Sequence, residues 1–133
     1  MKIICCLDKK NGRMFNNRRQ SMDAEVRKNI FQIIKDKSLY MNEYSFNQFG
    51  DYKGEIIVSN EFLSCAKEDD YCFVENDEIT GKDINQIIVY RWDKVYPADK
   101  YLDLDLSDYE LDSTLEFAGN SHEKIIREVY YEK

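Results

Sequence analysis

The chain has 133 residues, of which 43% are hydrophobic and 14% aromatic, so it can bury a core and is not intrinsically disordered. Its formal net charge is −7, with 26 acidic and 19 basic residues. A nucleic-acid sheath is therefore not expected, because phosphate binding requires a basic face. The length predicts a single domain over residues 1–133.

The residue inventory also limits metal chemistry and location. The one histidine, His122, is too few for a metallo-β-lactamase-type nuclease, whose zinc ligands include several histidines. The four cysteines contain no C-x-x-C pair, so no zinc ribbon is predicted. The first apolar run is too short for a signal peptide, and no window resembles a membrane span. We expect a cytoplasmic protein with free, mostly buried thiols and no membrane partner.

Strands and helices alternate in the predicted first part of the chain. Lys2–Leu7 is an apolar run that predicts a buried strand, and the polar residues 8–20 predict a loop. A helix is predicted next, capped by Ser21 and ending near residues 35–37. Its apolar stripe comprises Met22, Val26, Ile30 and Ile34. Further strands are predicted at Leu39–Met41, 55–59, 71–75 and Gln86–Trp92, with short helices or turns at 43–49 and 60–67 and a loop at 77–83.

The last third predicts antiparallel strands. Two runs alternate with period two, namely Leu102, Leu104 and Leu106, and then Tyr109, Leu111, Ser113, Leu115 and Phe117. A turn at 118–120 and a final strand at 123–132 follow. We expect Leu111, Leu115 and Phe117 to pack inward beside Ile126 or Val129. The predicted fold class is α/β, with one mixed β-sheet and a C-terminal antiparallel hairpin.

Four segments, in chain order, resemble dihydrofolate reductase. Residues 3–12 (IICCLDKKNG) resemble the first strand and turn of that family, and residues 39–45 (LYMNEYS) resemble its strand-to-helix segment. Residues 55–59 (EIIVS) resemble the next strand, and residues 116–130 resemble the C-terminal hairpin. The resemblance implies a shortened dihydrofolate-reductase-like fold.

Two departures from that family concern its cofactor. The family binds NADPH through a strand ending in Gly-Gly and a following helix, and nothing similar lies between residues 75 and 86. Glu43 stands where the family has a phosphate-contacting arginine, and a carboxylate there would repel a pyrophosphate. The resemblance therefore implies a reduced member without a cofactor and without the classical reductase activity.

Asp23 is the candidate catalytic acid or base. The family places one acid on its first long helix, and Asp23 lies three residues before the matching position, which Val26 occupies. The competing interpretation is a residue of the first helical turn that favours the helix dipole and pairs with Arg27.

The segment FNNRRQSMD, residues 15–23, predicts an anion site. Arg18 and Arg19 precede a helix start, where arginine forks and free N–H groups together favour an anion. The candidate ligand-binding residues are Phe15, Asn17, Arg18, Arg19, Gln20, Ser21, Tyr44 and Ser45. The alternative is a solvated loop whose arginines pair with surface carboxylates.

Three further features leave alternatives open. His122 is either a general acid or base, a ring that stacks on a ligand, or a turn residue that hydrogen-bonds nearby backbone. The aromatic run around Trp92 either lines a pocket or oligomer contact, or is strand-end packing. No metal site is predicted in the acidic run 103–112, because the calcium-loop spacing is absent. Asp103 and Asp105 are instead expected on a solvated strand face.

Three functions remain open from the sequence. The first is binding of a small anionic molecule, nucleotide-like or pterin-like. The second is a divergent enzyme, a reductase or small hydrolase, that uses Asp23 with Arg18 or Arg19. The third is a protein–protein interaction module, or a homo-oligomer contact, on the tyrosine- and tryptophan-rich face.

Overall fold

The computed structural model describes residues 1–50 and 54–133, and within them strands and helices alternate before a final run of strands. The strands are β1 (Lys2–Leu7), β2 (Gly12–Phe15), β3 (Arg18–Arg19), β4 (Leu39–Met41), β5 (Ile56–Val58), β6 (Tyr71–Phe73), β7 (Gln86–Trp92), β8 (Lys100–Tyr101), β9 (Tyr109–Phe117) and β10 (Ile125–Glu132). The helices are α1 (Ala24–Ile34), α2 (Glu43–Phe46) and α3 (Phe62–Cys65), and Leu106–Asp108 form a 3₁₀ turn.

Seven of these strands form one mixed sheet in the order β5-β4-β6-β1-β7-β10-β9. Strand β1 lies between β6 and β7 and is parallel to both. Strand β10 is antiparallel to β7 and to β9. The predicted α/β class, the mixed sheet and the C-terminal hairpin are confirmed. A second sheet has the order β3-β2-β8.

The core covers both faces of the large sheet. Val26, Ile30 and Ile34 of α1 pack with Ile4 of β1 in one apolar cluster. Ile3, the neighbouring residue of β1, belongs to a second cluster. Successive side chains of a strand point to opposite faces, so a central strand covered on both sides needs a nearly continuous apolar run.

The segment 8–20 is a hairpin, so its prediction as a loop is wrong. Strands β2 and β3 pair antiparallel, with Phe15 opposite Arg18. Asn16 and Asn17 form the two-residue turn with φ of 51° and 61°. Asparagine tolerates this left-handed conformation, which a tight hairpin turn requires at both central positions.

Helix α1 begins later than the sequence predicted. Asp23, not Ser21, is its N-cap, and the Asp23 carboxylate accepts a hydrogen bond from the backbone N–H of Glu25. Met22 precedes the cap and is 51% exposed, so it lies outside the buried stripe. The cap position directs the Asp23 side chain to the β9–β10 turn rather than to Arg27.

The segment after β8 is not the alternating strand that was predicted. Leu102, Leu104 and Leu106 all pack half-buried on the second apolar cluster. The Asp103 carboxylate accepts hydrogen bonds from the Arg13 guanidinium and from Thr80, which lowers the pKa of Asp103 although burial opposes this. Asp103 is therefore a tether for this segment and not part of a solvated face. Within the described ranges, no three His, Cys, Asp or Glu side chains are grouped to hold a metal ion.

Strand β9 is the outer strand of the sheet, and the predicted inward packing of two of its leucines is wrong. Leu111 is 48% exposed and Leu115 is 40% exposed, whereas Phe117 packs against the first cluster. The pairing with β10 shifts by one residue at Asp112, and this bulge reverses the face to which later residues point. Alternation therefore holds within each half of β9 but not across the bulge.

Among the residues that the structure describes, no helix combines the length and the apolar character needed to cross a membrane.

Candidate functional site

A cavity of about 550 Å³ opens between the β2–β3 hairpin and the turn that follows β7. Its lining consists of Phe15, Asn16, Arg18, Arg19, Gln20, Tyr96 and Pro97. Four of the eight predicted ligand-binding residues, Phe15, Arg18, Arg19 and Gln20, thus surround one cavity. Tyr96 was not predicted as a site residue, although its aromatic run was noted, because a contact across 70 or more residues leaves no local sequence signal.

Arg19 is already engaged within the protein. Its guanidinium donates two hydrogen bonds to the Glu75 carboxylate, at 2.8 and 3.0 Å, and lies 4.4 Å from the centre of the Tyr44 ring. Burial alone lowers the pKa of Arg19, but the bonds and charge of Glu75 outweigh it and raise that pKa. Arg19 therefore pairs with a carboxylate, as the alternative interpretation held, and that carboxylate is buried rather than on the surface.

Arg18 differs from its neighbour. It is exposed on β3, and its guanidinium forms no hydrogen bond or ion pair with the part of the chain that the structure describes. Gln20, at the other side of the cavity, donates its amide N–H to Asp8 at 3.0 Å. The Gln20 amide oxygen has no partner among the described residues. The cavity therefore offers Arg18 as a cation that none of the described residues engages.

The other predicted ligand-binding residues lie outside the cavity lining. Asn17 is exposed at the hairpin turn, and Ser45 is fully buried in α2. The Tyr44 hydroxyl accepts a hydrogen bond from the backbone N–H of Arg19 at 2.8 Å. Tyr44 thus contacts Arg19 of the cavity wall but does not itself line the cavity. Ser21 also lies outside the lining and contacts His122.

Asp8 holds the loops around the cavity together. Its buried carboxylate accepts hydrogen bonds from the backbone N–H groups of Lys10, Gly12 and Tyr96 and from the side-chain amide of Gln20. Burial alone raises the pKa of Asp8, but these four bonds hold it below its usual value. The sequence placed Asp8 only in a turn, because the Tyr96 and Gln20 contacts are long-range.

Asp23 is buried and lies against the turn between β9 and β10. Its carboxylate accepts hydrogen bonds from the backbone N–H groups of Asn120, Ser121 and Glu25, at 2.7 to 2.9 Å. It is also 2.9 Å from His122 Nδ1. Burial opposes ionisation, but these bonds hold the pKa of Asp23 well below its usual range. None of its hydrogen bonds within the described residues goes to Arg18 or Arg19.

His122 connects Asp23 to two hydroxyl groups. Its Nε2 lies 2.9 Å from Ser21 Oγ and 3.2 Å from Tyr96 Oη. The ring stacks on Trp92, with centroids 4.4 Å apart and an interplanar angle of 19°. His122 thus lies in the turn between β9 and β10, as one alternative held, but within the described residues its ring contacts side chains and not the nearby backbone that this alternative expected. Ser21 and His122 were both singled out in the sequence, but their pairing was not.

Two aromatic residues of the run around Trp92 are buried, whereas Tyr96 is half-buried and lines the first cavity. Trp92 is 1% exposed and Tyr90 is fully buried, with its hydroxyl donating to Asn29 at 2.7 Å. The predicted interaction face is therefore absent at these two residues, and the strand-end packing interpretation holds for them.

A second cavity, of about 490 Å³, adjoins His122 and is lined by Asp93, Lys94, Ser121, His122, Glu123 and Lys124.

The thiols do not form a reactive centre around the cavity. Cys5 and Cys72 are buried, and burial raises the pKa of Cys5 to about 11 and that of Cys72 to about 12. Cys6 is half-buried, and Cys65 is exposed on α3. At neutral pH these raised pKa values keep Cys5 and Cys72 as thiols, which are weak nucleophiles.

Comparison with known proteins identifies the fold. The chain is similar to a solved dihydrofolate reductase from Enterococcus faecalis, described as complexed with NADP(H) and RAB-propyl, with a TM-score of 0.65 and 12% sequence identity. The similarity covers 99% of this chain and 95% of that chain. No protein-family model and no curated protein matches the chain. The protein therefore has a dihydrofolate-reductase-like fold. The deletion of the cofactor-binding unit stays a prediction.

Proposed function

We propose that the protein binds a small anionic molecule, nucleotide-like or pterin-like, in the cavity beside the β2–β3 hairpin. The observation that carries this proposal is Arg18, an unpaired cation on the cavity wall of a protein with a net charge of −7. A guanidinium presents a planar set of donors that suits carboxylate and phosphate groups.

The rest of the lining supports a ligand that also has a flat ring. Phe15 is 42% exposed, and Tyr96 and Pro97 add further apolar surface opposite the hairpin. Cavities of this size that combine apolar walls with a few polar groups are typical small-molecule sites.

We further propose that the protein does not bind NADPH and is not a classical reductase, although the solved protein with the similar fold is described as an NADP(H) complex. The segment after β6 carries three carboxylates, Glu75, Asp77 and Glu78, and no Gly-Gly pair. Arg19, which contacts this segment, is already engaged by Glu75 and is not free to bind a pyrophosphate. Glu43 is exposed at the start of α2 and adds further repulsion.

A thermal-shift screen tests the anion site. The probes are inorganic phosphate, AMP and pterin-6-carboxylate, applied to the wild type, to Arg18→Ala and to Lys82→Ala. Lys82 is an exposed cation outside the cavity lining, so Lys82→Ala makes the same change in net charge. We expect a ring-bearing anion to raise the Tm of the wild type and of Lys82→Ala, but not that of Arg18→Ala.

Two results would contradict the proposal. The first is a screen in which neither AMP nor pterin-6-carboxylate stabilises the wild type. The second is equal stabilisation of all three proteins, which would place the anion elsewhere. Calorimetry with NADPH tests the cofactor proposal separately, and a micromolar Kd would refute it.

A further inference from the structure

Ser21, His122 and Asp23 form a continuous hydrogen-bonded chain. Ser21 and Asp23 flank Met22 between β3 and α1, whereas His122 lies in the β9–β10 turn, 99 residues from Asp23. Ser21 Oγ is 2.9 Å from His122 Nε2, and His122 Nδ1 is 2.9 Å from Asp23 Oδ2. Nucleophile, base and orienting acid thus meet at hydrogen-bond distances in the order that serine acyl transfer requires.

The hydrogen bonds of Asp23 fix the direction of this chain. Three backbone N–H groups already hold its carboxylate, which therefore stays ionised and can only accept. The hydrogen on the imidazole must then lie on Nδ1 and point to Asp23. This leaves the lone pair of Nε2 directed at Ser21 Oγ, as a base that accepts the serine proton.

The surrounding residues hold the imidazole in one orientation. Trp92 stacks on the ring, and the hydroxyl of Ser121 is 3.2 Å from Nδ1 and 3.3 Å from Asp23 Oδ2. A Cβ built on Gly119 would lie 2.5 Å from Asp23 Oδ2, so the turn closes tightly over the carboxylate. A catalytic group needs to be held in such a fixed orientation before the substrate binds.

The cavity reaches this chain through two residues. Gln20, which lines the cavity, directly precedes Ser21, and Ser21 itself is half-buried rather than enclosed. The Tyr96 ring also lines the cavity while its hydroxyl contacts His122 Nε2. Gln20 and Tyr96 thus connect the cavity lining to Ser21 and to His122, the two residues that would act on a bound carbonyl group.

We propose that Ser21 is the nucleophile of an ester-hydrolysing centre, with His122 as its base and Asp23 as the residue that positions His122. Ser21 Oγ bonds to the carbonyl carbon while its proton passes to His122 Nε2. The ester C–O bond then breaks, and the departing alkoxide takes that proton. Water next attacks the acyl-serine and gives a proton to Nε2, and this proton returns to Ser21 as the carboxylic acid leaves.

Tyr96 supplies the hydroxyl nearest to this step. A neutral Nε2 has one lone pair, which the hydroxyls of Ser21 and Tyr96 share. Once Nε2 carries the serine proton it becomes a donor, so the Tyr96 hydroxyl is released to donate to the developing oxyanion. Tyr96→Phe, which removes this hydroxyl alone, should lower kcat about 100-fold, and an unchanged kcat would remove Tyr96 from the centre.

Covalent labelling of the full chain tests the nucleophile directly, and two variants serve as controls. Incubation with an alkyl fluorophosphonate should add one phosphonyl group, located on Ser21 by peptide mass spectrometry. Ser21→Ala should abolish the adduct, and Ser113→Ala, at an exposed serine of β9, should not. The probe is uncharged, so this result does not depend on the anion site at Arg18. Absence of an adduct on Ser21 of the folded wild type would overturn the proposal.

Hydrolysis of 4-nitrophenyl acetate distinguishes catalysis from a purely structural hydrogen-bond chain. Ser21→Ala should reduce kcat to background, and a wild-type rate in this variant would refute the proposal. Asp23→Asn should lower kcat about 100-fold or more while KM stays unchanged, because Asp23 positions the base and does not bind substrate. Circular dichroism verifies that each variant is folded, and an equal fall of kcat in Ser113→Ala would show that the effect is nonspecific.

Discussion

Two buried carboxylates, Asp8 and Asp23, anchor the same region in different ways. Among the described residues, Asp8 accepts hydrogen bonds only from amide groups, none of which can take up or release a proton near neutral pH. Asp23 accepts from three amides and from the imidazole of His122, which in turn contacts Ser21. Both carboxylates are buried and both have a lowered pKa, yet one fixes loops and the other directs a base.

The difference teaches that burial and a perturbed pKa do not by themselves indicate chemistry. Both carboxylates have the features that are commonly used to find functional sites. Only the identity of the donors separates them, because an imidazole can pass a proton onward and a peptide N–H cannot.

Replacement of Asp8 by alanine should have the largest effect on stability. It leaves four donors without their acceptor, from Lys10, Gly12, Gln20 and Tyr96. Unsatisfied buried groups cost about 1–3 kcal/mol each, and water reaches some of these, so the free energy of unfolding should fall by about 3–5 kcal/mol. Urea denaturation measures this.

The matched variant for Asp23 is Asp23→Asn, which retains one accepting oxygen and the side-chain shape. It should cost about 1–2 kcal/mol by the same measurement. A loss as large as that of Asp8→Ala would mean that Asp23 also acts mainly as a structural anchor.

Alanine at two glycines should disturb the two carboxylates by similar amounts. A Cβ on Gly119 would lie 2.5 Å from Asp23 Oδ2, and one on Gly12 would lie 2.7 Å from Asp8 Oδ2. Overpacking of this kind costs about 1–3 kcal/mol. Gly50→Ala is the control, because no atom of the described residues beyond its chain neighbours lies within 4 Å of its added methyl group. Calorimetric Tm values that fall equally in all three variants would contradict these contacts.

Acid should weaken both anchors. The hydrogen bonds of Asp8 and Asp23 hold both pKa values below the value of about 3.9 expected in the unfolded chain. Their contribution to stability is therefore complete above about pH 4 and is lost as pH falls through the lower, folded-state pKa values. Urea denaturation between pH 5 and pH 2 should show a shallower loss in Asp23→Asn than in the wild type, and equal slopes would show that Asp23 is not responsible.

The smallest expected effect lies at the rim of the cavity. Arg18→Ala should not change the Tm measurably without ligand, because exposed, unpaired arginines contribute little to stability. Arg19→Ala, in contrast, leaves the buried Glu75 carboxylate without its partner and should lower the Tm clearly. Equal Tm values for the two variants would mean that the Arg19–Glu75 pair is not formed in solution.

Part of the fold could be predicted because its signals are local. β1, β4 and β7 have the predicted bounds, since short apolar runs identify strands that are covered on both faces. The stripe of Val26, Ile30 and Ile34 predicted α1, because apolar residues at intervals of four lie on one face of a helix. The predictions failed where one or two residues change the local backbone, as at the β9 bulge and the Asn16–Asn17 turn.

For the site, too, the sequence identified some features and only the tertiary structure showed others. The sequence by itself determined which residue types are present, that one segment concentrates the arginines, and that Ser21, Asp23 and His122 are candidates. Only the tertiary structure decided their partners. Arg19 meets Glu75 across 56 residues, and Ser21 meets His122 across 101. The first contact joins β3 to the segment after β6, and the second joins the β3–α1 segment to the β9–β10 turn. No local pattern in the chain specifies a pairing made over that distance.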